Sequence, residues 1–195
     1  MTISREHFEL LRDEFGFHSS WAVWGDMGDR PKDGMDDLSI FGSEKLENTL
    51  RYLHTDFVIV ALNISKAIEF PLSNFHGKNG EVYKARYAFR DTPLHGGYMT
   101  DVIKDFEEAK AQKMSIFLKK NKSFEQENVR IFEGELSKLK SKNLTLVALG
   151  QEVEGVLRRN FKDKYNIIRV PHYAYPRPKE VYREMVLQSL KKNGL

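Results

Sequence analysis

Asp56-Phe57-Val58-Ile59-Val60-Ala61-Leu62 is an unbroken apolar run behind a single aspartate, and its reading decides the fold. Nothing in it alternates, so neither face is set aside for water. Such a segment is expected as a parallel strand covered on both sides. The signature returns at Leu144-Thr145-Leu146-Val147-Ala148-Leu149-Gly150 and at Asn166-Ile167-Ile168-Arg169-Val170, and between these two Val153, Val156, Leu157 and Phe161 recur at helical spacing. Strand, helix, strand makes a βαβ unit. A shorter strand is expected at Gly97-Tyr98-Met99-Thr100-Asp101-Val102-Ile103, bracketed by the Gly96-Gly97 turn and a charged stretch from Lys104.

Helical patterns fill the intervals. Ser4, with His7 at the capping-box position, opens a helix carrying Phe8, Leu11 and Phe15, which is expected to be peripheral. Ser43 opens a second helix with Leu46, Leu50 and Leu53 on one face. Ser123 with Gln126 begins another that carries Val129, Phe132, Leu136 and Leu139, and Pro178 starts a last one with Val181, Met185 and Leu190. Trp21 to Asp37, punctuated by Gly25, Gly28, Pro31 and Gly34, has the composition of a long loop. The expected fold is a three-layer α/β sandwich with a central, mostly parallel four-stranded sheet. It forms a single domain over 1–195, with residues 1–55 as an N-terminal helical and loop extension.

Composition narrows the chemistry. The chain has 195 residues, 41% of them hydrophobic, enough for one real core. It has no cysteine, which removes disulfides, thiol nucleophiles and any cysteine-held iron–sulfur cluster. No run of about 18 apolar residues is present, so no membrane span is expected. The start of the chain lacks the basic-then-apolar layout of a secretory leader, so the cytoplasm is the expected compartment. A formal net charge of +3 permits contact with phosphates without demanding it.

In sheets of this kind ligands bind beyond the carboxyl ends of the strands. Asn63-Ile64-Ser65-Lys66 follows the first central strand and leads to Phe70-Pro71-Leu72-Ser73-Asn74-Phe75-His76-Gly77. Pro171-His172-Tyr173-Ala174-Tyr175-Pro176-Arg177-Pro178 follows the last. These two loops are expected to meet on one rim, with Asn63 and His172 as polar groups and Phe75 and Tyr173 as flat apolar surfaces.

The succession Val60-Ala61-Leu62-Asn63-Ile64-Ser65, Gly97-Tyr98-Met99-Thr100-Asp101-Val102-Ile103-Lys104, Leu146-Val147-Ala148-Leu149-Gly150 and Arg169-Val170-Pro171-His172-Tyr173 resembles the uracil-DNA glycosylase superfamily over roughly residues 56 to 178. The resemblance implies hydrolysis of the N-glycosidic bond of uracil or a related base in single- or double-stranded DNA, without metal or other cofactor. It implies that Asn63 positions water, that His172 stabilises negative charge on the departing base and that Phe75 stacks on it. Ser65, Tyr173 and Arg177 are the further expected substrate contacts. The motifs depart from the family's usual pattern: Ala61, Leu62, Ile64 and Ser65 flank Asn63 where the family usually has Gly and Pro, and Tyr173 and Ala174 follow His172 where it commonly has Pro and Ser.

Each residue also has a plainer reading. Asn63 equally suits a strand-end turn in which its side chain caps backbone, and His172 a loop histidine bonded to a carbonyl. Phe75 suits the core. Arg177 and Lys179 suit solvated surface charge, as do Lys119, Lys120 and Lys122. Asp26, Asp29, Asp33, Asp36 and Asp37 lack calcium-loop spacing and read as a solvated loop. The alternative function is a catalytically silent module that binds nucleic acid or a nucleotide on the same frame; an enzyme on another small substrate is a third.

Overall fold

The computed structural model describes residues 3–104, 106–108 and 110–195. Met1 and Thr2, which head the stretch read for a leader, lie outside them. The strands are β1 (Ser19–Trp21), β2 (His54–Asn63), β3 (Gly97–Ile103), β4 (Thr145–Leu149) and β5 (Asn166–Val170). They form one sheet in the order β1-β3-β2-β4-β5. The pairings of β2 with β3, β2 with β4 and β4 with β5 are parallel, as expected from the apolar runs.

The expectation of four strands is corrected to five. β1 lies antiparallel on β3, with Ser19 opposite Thr100 and Trp21 opposite Tyr98, so the sheet is mixed. Three residues reading Ser-Ser-Trp carry no periodicity that could announce a strand. Tertiary contacts make it one: the Trp21 ring meets Tyr98 edge-on at 5.0 Å, and the Ser20 hydroxyl donates to the Leu72 carbonyl at 2.8 Å, which satisfies a fully buried polar group.

The helices are α1 (Arg5–Phe15), α2 (Leu46–Leu50), α3 (Tyr83–Phe89), α4 (Ala111–Lys120), α5 (Lys122–Lys138), α6 (Gln151–Phe161) and α7 (Lys179–Lys192). Ser4 caps α1 by accepting the His7 N–H. α2 is shorter than its leucine pattern promised and starts at Leu46, after a turn over 43–45. α3 and α4 were not legible in the pattern.

Side chains of β2 alternate between two cores. Val58, Val60 and Leu62 face a layer containing α1, α2, α4, α5 and α6, while Ile59 and Ala61 face one containing α3 and α7. This is the three-layer arrangement, with the sheet apolar on both faces. The N-terminal segment is integral to it: Phe8 and Trp21 are fully buried in the first core and Met35 in the second. The aspartate-rich loop is held from inside, because the Arg86 guanidinium donates to the carbonyls of Pro31 (2.6 Å), Asp33 (2.7 Å) and Gly25 (3.3 Å). Asp33 accepts the Arg30 N–H and Asp37 the Ser39 N–H, so two of the five aspartates serve their own loop. Among the described residues no helix is long and apolar enough to cross a membrane.

Strand order positions the site. From β2 the chain passes through α3 on one face to β3; from β4 it passes through α6 on the other face to β5. The neighbours β2 and β4 therefore send their outgoing loops to opposite sides, which opens a crevice at their carboxyl ends.

Candidate functional site

A cavity of about 490 Å³ occupies that crevice. Of the six residues expected from the sequence, Asn63, Ser65, Phe75, His172 and Tyr173 all line it. Arg177 does not: its guanidinium lies over the Tyr175 ring, 5.7 Å from the centroid. Two loops separated by about a hundred residues thus meet where the parallel strands end.

Asn63 is the last residue of β2. Its amide nitrogen donates towards three carbonyls, those of Ile64 (2.8 Å), Phe106 (2.9 Å) and Glu108 (2.9 Å). The side chain therefore clasps the segment after β3 against the β2 terminus. Its two N–H groups are committed to protein, and only its carbonyl oxygen is left for a ligand or water.

His172 follows β5. Its Nδ1 accepts the Ala174 N–H at 3.1 Å, which places the proton of the neutral ring on Nε2. Burial pushes the imidazole pKa down to about 4, so at neutral pH the group is an uncharged N–H donor. The Tyr173 ring lies 4.2 Å away at 36° and fixes the imidazole plane. Burial, reinforced by the Asp101 carboxylate, raises the Tyr173 phenol above its ordinary range, so this hydroxyl stays protonated.

Phe75 combines a buried ring with a backbone φ of 64°, a left-handed conformation that costs an L-residue on the order of 1 kcal/mol or more. The strain is held by neighbours: the Phe75 N–H donates to Asn74 Oδ1 at 3.1 Å, and its carbonyl accepts the Trp24 indole N–H at 3.1 Å. Gly150, between β4 and α6, has φ of 94°. The turn that carries the chain from the sheet into α6 beside His172 therefore needs a residue without a side chain.

Two residues that matter here escaped the sequence reading. Asp101, on β3, is 1% exposed yet lines the cavity. Asn74 Nδ2 donates to its Oδ2 at 2.6 Å, and burial raises its pKa to about 7. A carboxylate inside an otherwise apolar strand was the available signal, because such groups are rarely buried without a role. Asn74 also donates to the His18 carbonyl at 2.9 Å, so its bonds tie the chain before β1 to β3 and to the strained Phe75.

Among the described residues the remaining lining carboxylates are Glu81, Glu108 and Glu152, and no lysine or arginine lines this cavity. Glu81 is paired with Lys84 at 2.7 Å, which holds its carboxyl below the ordinary range. Positive charge lies next door: a trough of about 640 Å³ between β5 and α7 shares Gly150, Gln151 and His172 with the cavity and is lined by Arg169, Lys192 and Tyr175. Among the described residues no group of three or more His, Asp or Glu is placed to hold a metal ion.

The fold and cavity define an α/β protein with a cleft at its topological switch point. Comparison of the chain with family models, with characterised proteins and with solved structures finds no match in any of the three.

Proposed function

We propose that this protein is a uracil-DNA glycosylase-like hydrolase that takes a base out of DNA and cleaves its N-glycosidic bond. The observation that carries the reading is the convergence of Asn63, Phe75, His172 and Tyr173 on one cavity at the carboxyl ends of β2 and β5. Cleavage of this bond leaves negative charge on the base and positive character on the sugar, so the site needs a donor at the base oxygen and a positioned water. The neutral His172 Nε2–H suits the first task. It can donate to the developing oxyanion without supplying a full charge. The Asn63 carbonyl oxygen suits the second, since it can accept from water and orient it. Phe75 and Tyr173 offer ring faces to a base that has left its stack, recovering part of the few kcal/mol that flipping costs. The basic trough next to His172 offers phosphates a path outside the acidic chamber.

One observation favours the second reading, a catalytically silent nucleic-acid- or nucleotide-binding module. The Asn63 amide is engaged by three carbonyls and so already has a structural duty. Incubation with single- and double-stranded oligonucleotides carrying one uracil, or one damaged cytosine that keeps its amino group, followed by alkali, separates the two. Strand breaks that fall about a hundredfold or more in His172→Ala and Asn63→Ala support the glycosylase. Salt-sensitive binding without breaks supports the silent module.

A further inference from the structure

We propose that the occupant of the cavity is a base bearing an exocyclic amino group, and that Asp101 is the residue that reads it. This rests on reading the cavity as a base chamber and sharpens which base it suits.

The argument is a count of donors and acceptors. Asn74 spends both amide hydrogens on the His18 carbonyl and Asp101 Oδ2, and its own oxygen takes the Phe75 N–H. Asn63 spends its amide hydrogens on carbonyls. Neither amide has an N–H left to offer a ligand. Asp101 Oδ1, by contrast, accepts no hydrogen bond among the described residues, while Oδ2 is held at 2.6 Å. Above its pKa of about 7 the carboxylate on the buried wall of the chamber therefore presents an acceptor, whereas below it the same group carries a proton. The other lining carboxylates each hold a partner as well, Glu81 Lys84, Glu108 the Lys110 N–H and Glu152 the Ser115 hydroxyl, but Glu81 and Glu108 are part-exposed and Glu152 exposed, so water reaches them, whereas Asp101 is 1% exposed. Of the lining donors, Gln151 and Ser65 are exposed, which leaves the Tyr173 hydroxyl and the His172 Nε2–H to meet a ring carbonyl.

A uracil ring flanks its one imide N–H with two carbonyl oxygens, and each needs a donor. Its edge would set acceptors against Asp101. A cytosine-like edge presents amino hydrogens, which a carboxylate accepts well. His172 Nε2–H would still meet the ring carbonyl next to the glycosidic bond, so the two residues would address opposite sides of one ring. The raised pKa of Asp101, about 7, is a signature of the same deficit: an acceptor buried with too few donors.

The test uses the full chain with free cytosine and free uracil at millimolar concentrations at a pH of about 8.5, where Asp101 is ionised, and a pH titration of each complex, followed by NMR. Cytosine should bind at least about tenfold more tightly than uracil, and its binding should lower the Asp101 pKa. Asp101→Asn, which swaps an acceptor for a donor of equal size, should reverse the order. Tighter binding of uracil by the unaltered protein, or an unchanged order in a folded Asp101→Asn, overturns the proposal and leaves the base chamber standing. If neither base binds, the chamber reading falls with it. Should Asp101→Asn fail to fold, the ranking and the pKa change in the unaltered protein decide.

Discussion

Asn74 Nδ2 donates to Asp101 Oδ2 at 2.6 Å across 27 positions of chain, joining the loop that carries Phe75 to the strand that forms the chamber wall. Removing the amide undoes more than this bond. Asn74→Ala also removes one of the donors to the His18 carbonyl and frees the Phe75 N–H, leaving that buried N–H unpaired and a left-handed phenylalanine unsupported. The expected loss is about 2–4 kcal/mol in urea unfolding. Because the Asn74 hydrogen bond favours the charged carboxyl, the same variant should move the Asp101 pKa further above about 7, which a carboxyl NMR titration reads.

Asp101 makes stability depend on pH in a direction opposite to the usual salt-bridged carboxylate. Its pKa is about 7 in the folded chain against about 4 when unfolded, so the folded state holds the extra proton between these values. This stability is full below pH about 4 and is lost as pH rises through about 7, on the order of 4 kcal/mol at most. Asp101→Asn has no proton to lose. Measured as a difference from this variant, the stability of the unaltered protein should fall between pH 4.5 and 8; a flat difference would contradict the assignment.

His76 acts the other way. Its ring lies 5.8 Å from Trp24 and 5.5 Å from Phe41, and burial, offset only in part by the Trp21 backbone, lowers its pKa to about 4. The folded state therefore resists protonation, and stability is lost as pH falls from about 6.5 through 4. A phenylalanine keeps the ring and removes the charge. His76→Phe should be more stable than the unaltered protein by about 2 kcal/mol at pH 4.5, with the advantage shrinking at pH 7.5; urea midpoints at the two pH values check it.

What could be read from the sequence follows from where the information lies. The cores of β2 and β4 announce themselves because a strand segment buried on both faces is apolar throughout, β5 shows through Ile167, Ile168 and Val170 although its edge exposes Asn166 and Arg169, and the strand-end rule leads to Asn63, Phe75, His172 and Tyr173. β1 could not be read, since Ser19 and Ser20 are strand residues only because β3 and Leu72 receive them. Asp101 sat in plain view, but the partner that makes its burial tolerable is Asn74, in a loop that no local pattern connects to β3. Arg177 shows how little a charge near a helix start says of where its side chain lies. Its guanidinium lies over Tyr175, a residue of the neighbouring trough, and does not line the cavity.

On the other face of β3 a second buried polar group has a structural duty that can be told apart from the site. Glu135 on α5, with no exposed surface, accepts from the Tyr98 hydroxyl (2.8 Å) and the Thr100 hydroxyl (2.9 Å) through Oε1, and from Lys104 Nζ (2.6 Å) through Oε2. Lys104 also donates to Thr100 at 2.6 Å, so the cluster bolts α5 onto the strand whose opposite face carries Asp101. Glu135→Ala strands a buried ammonium and should cost about 3–5 kcal/mol, whereas the paired change of Glu135→Leu with Lys104→Met removes both charges and should cost much less. If the cluster only holds the strand in place, the folded double variant should keep the base preference of the unaltered protein. Denaturant midpoints measure the first expectation and NMR titration with cytosine and uracil the second. A double variant that folds but no longer distinguishes the two bases would mean that charge behind β3, and not Asp101 alone, sets what the chamber accepts.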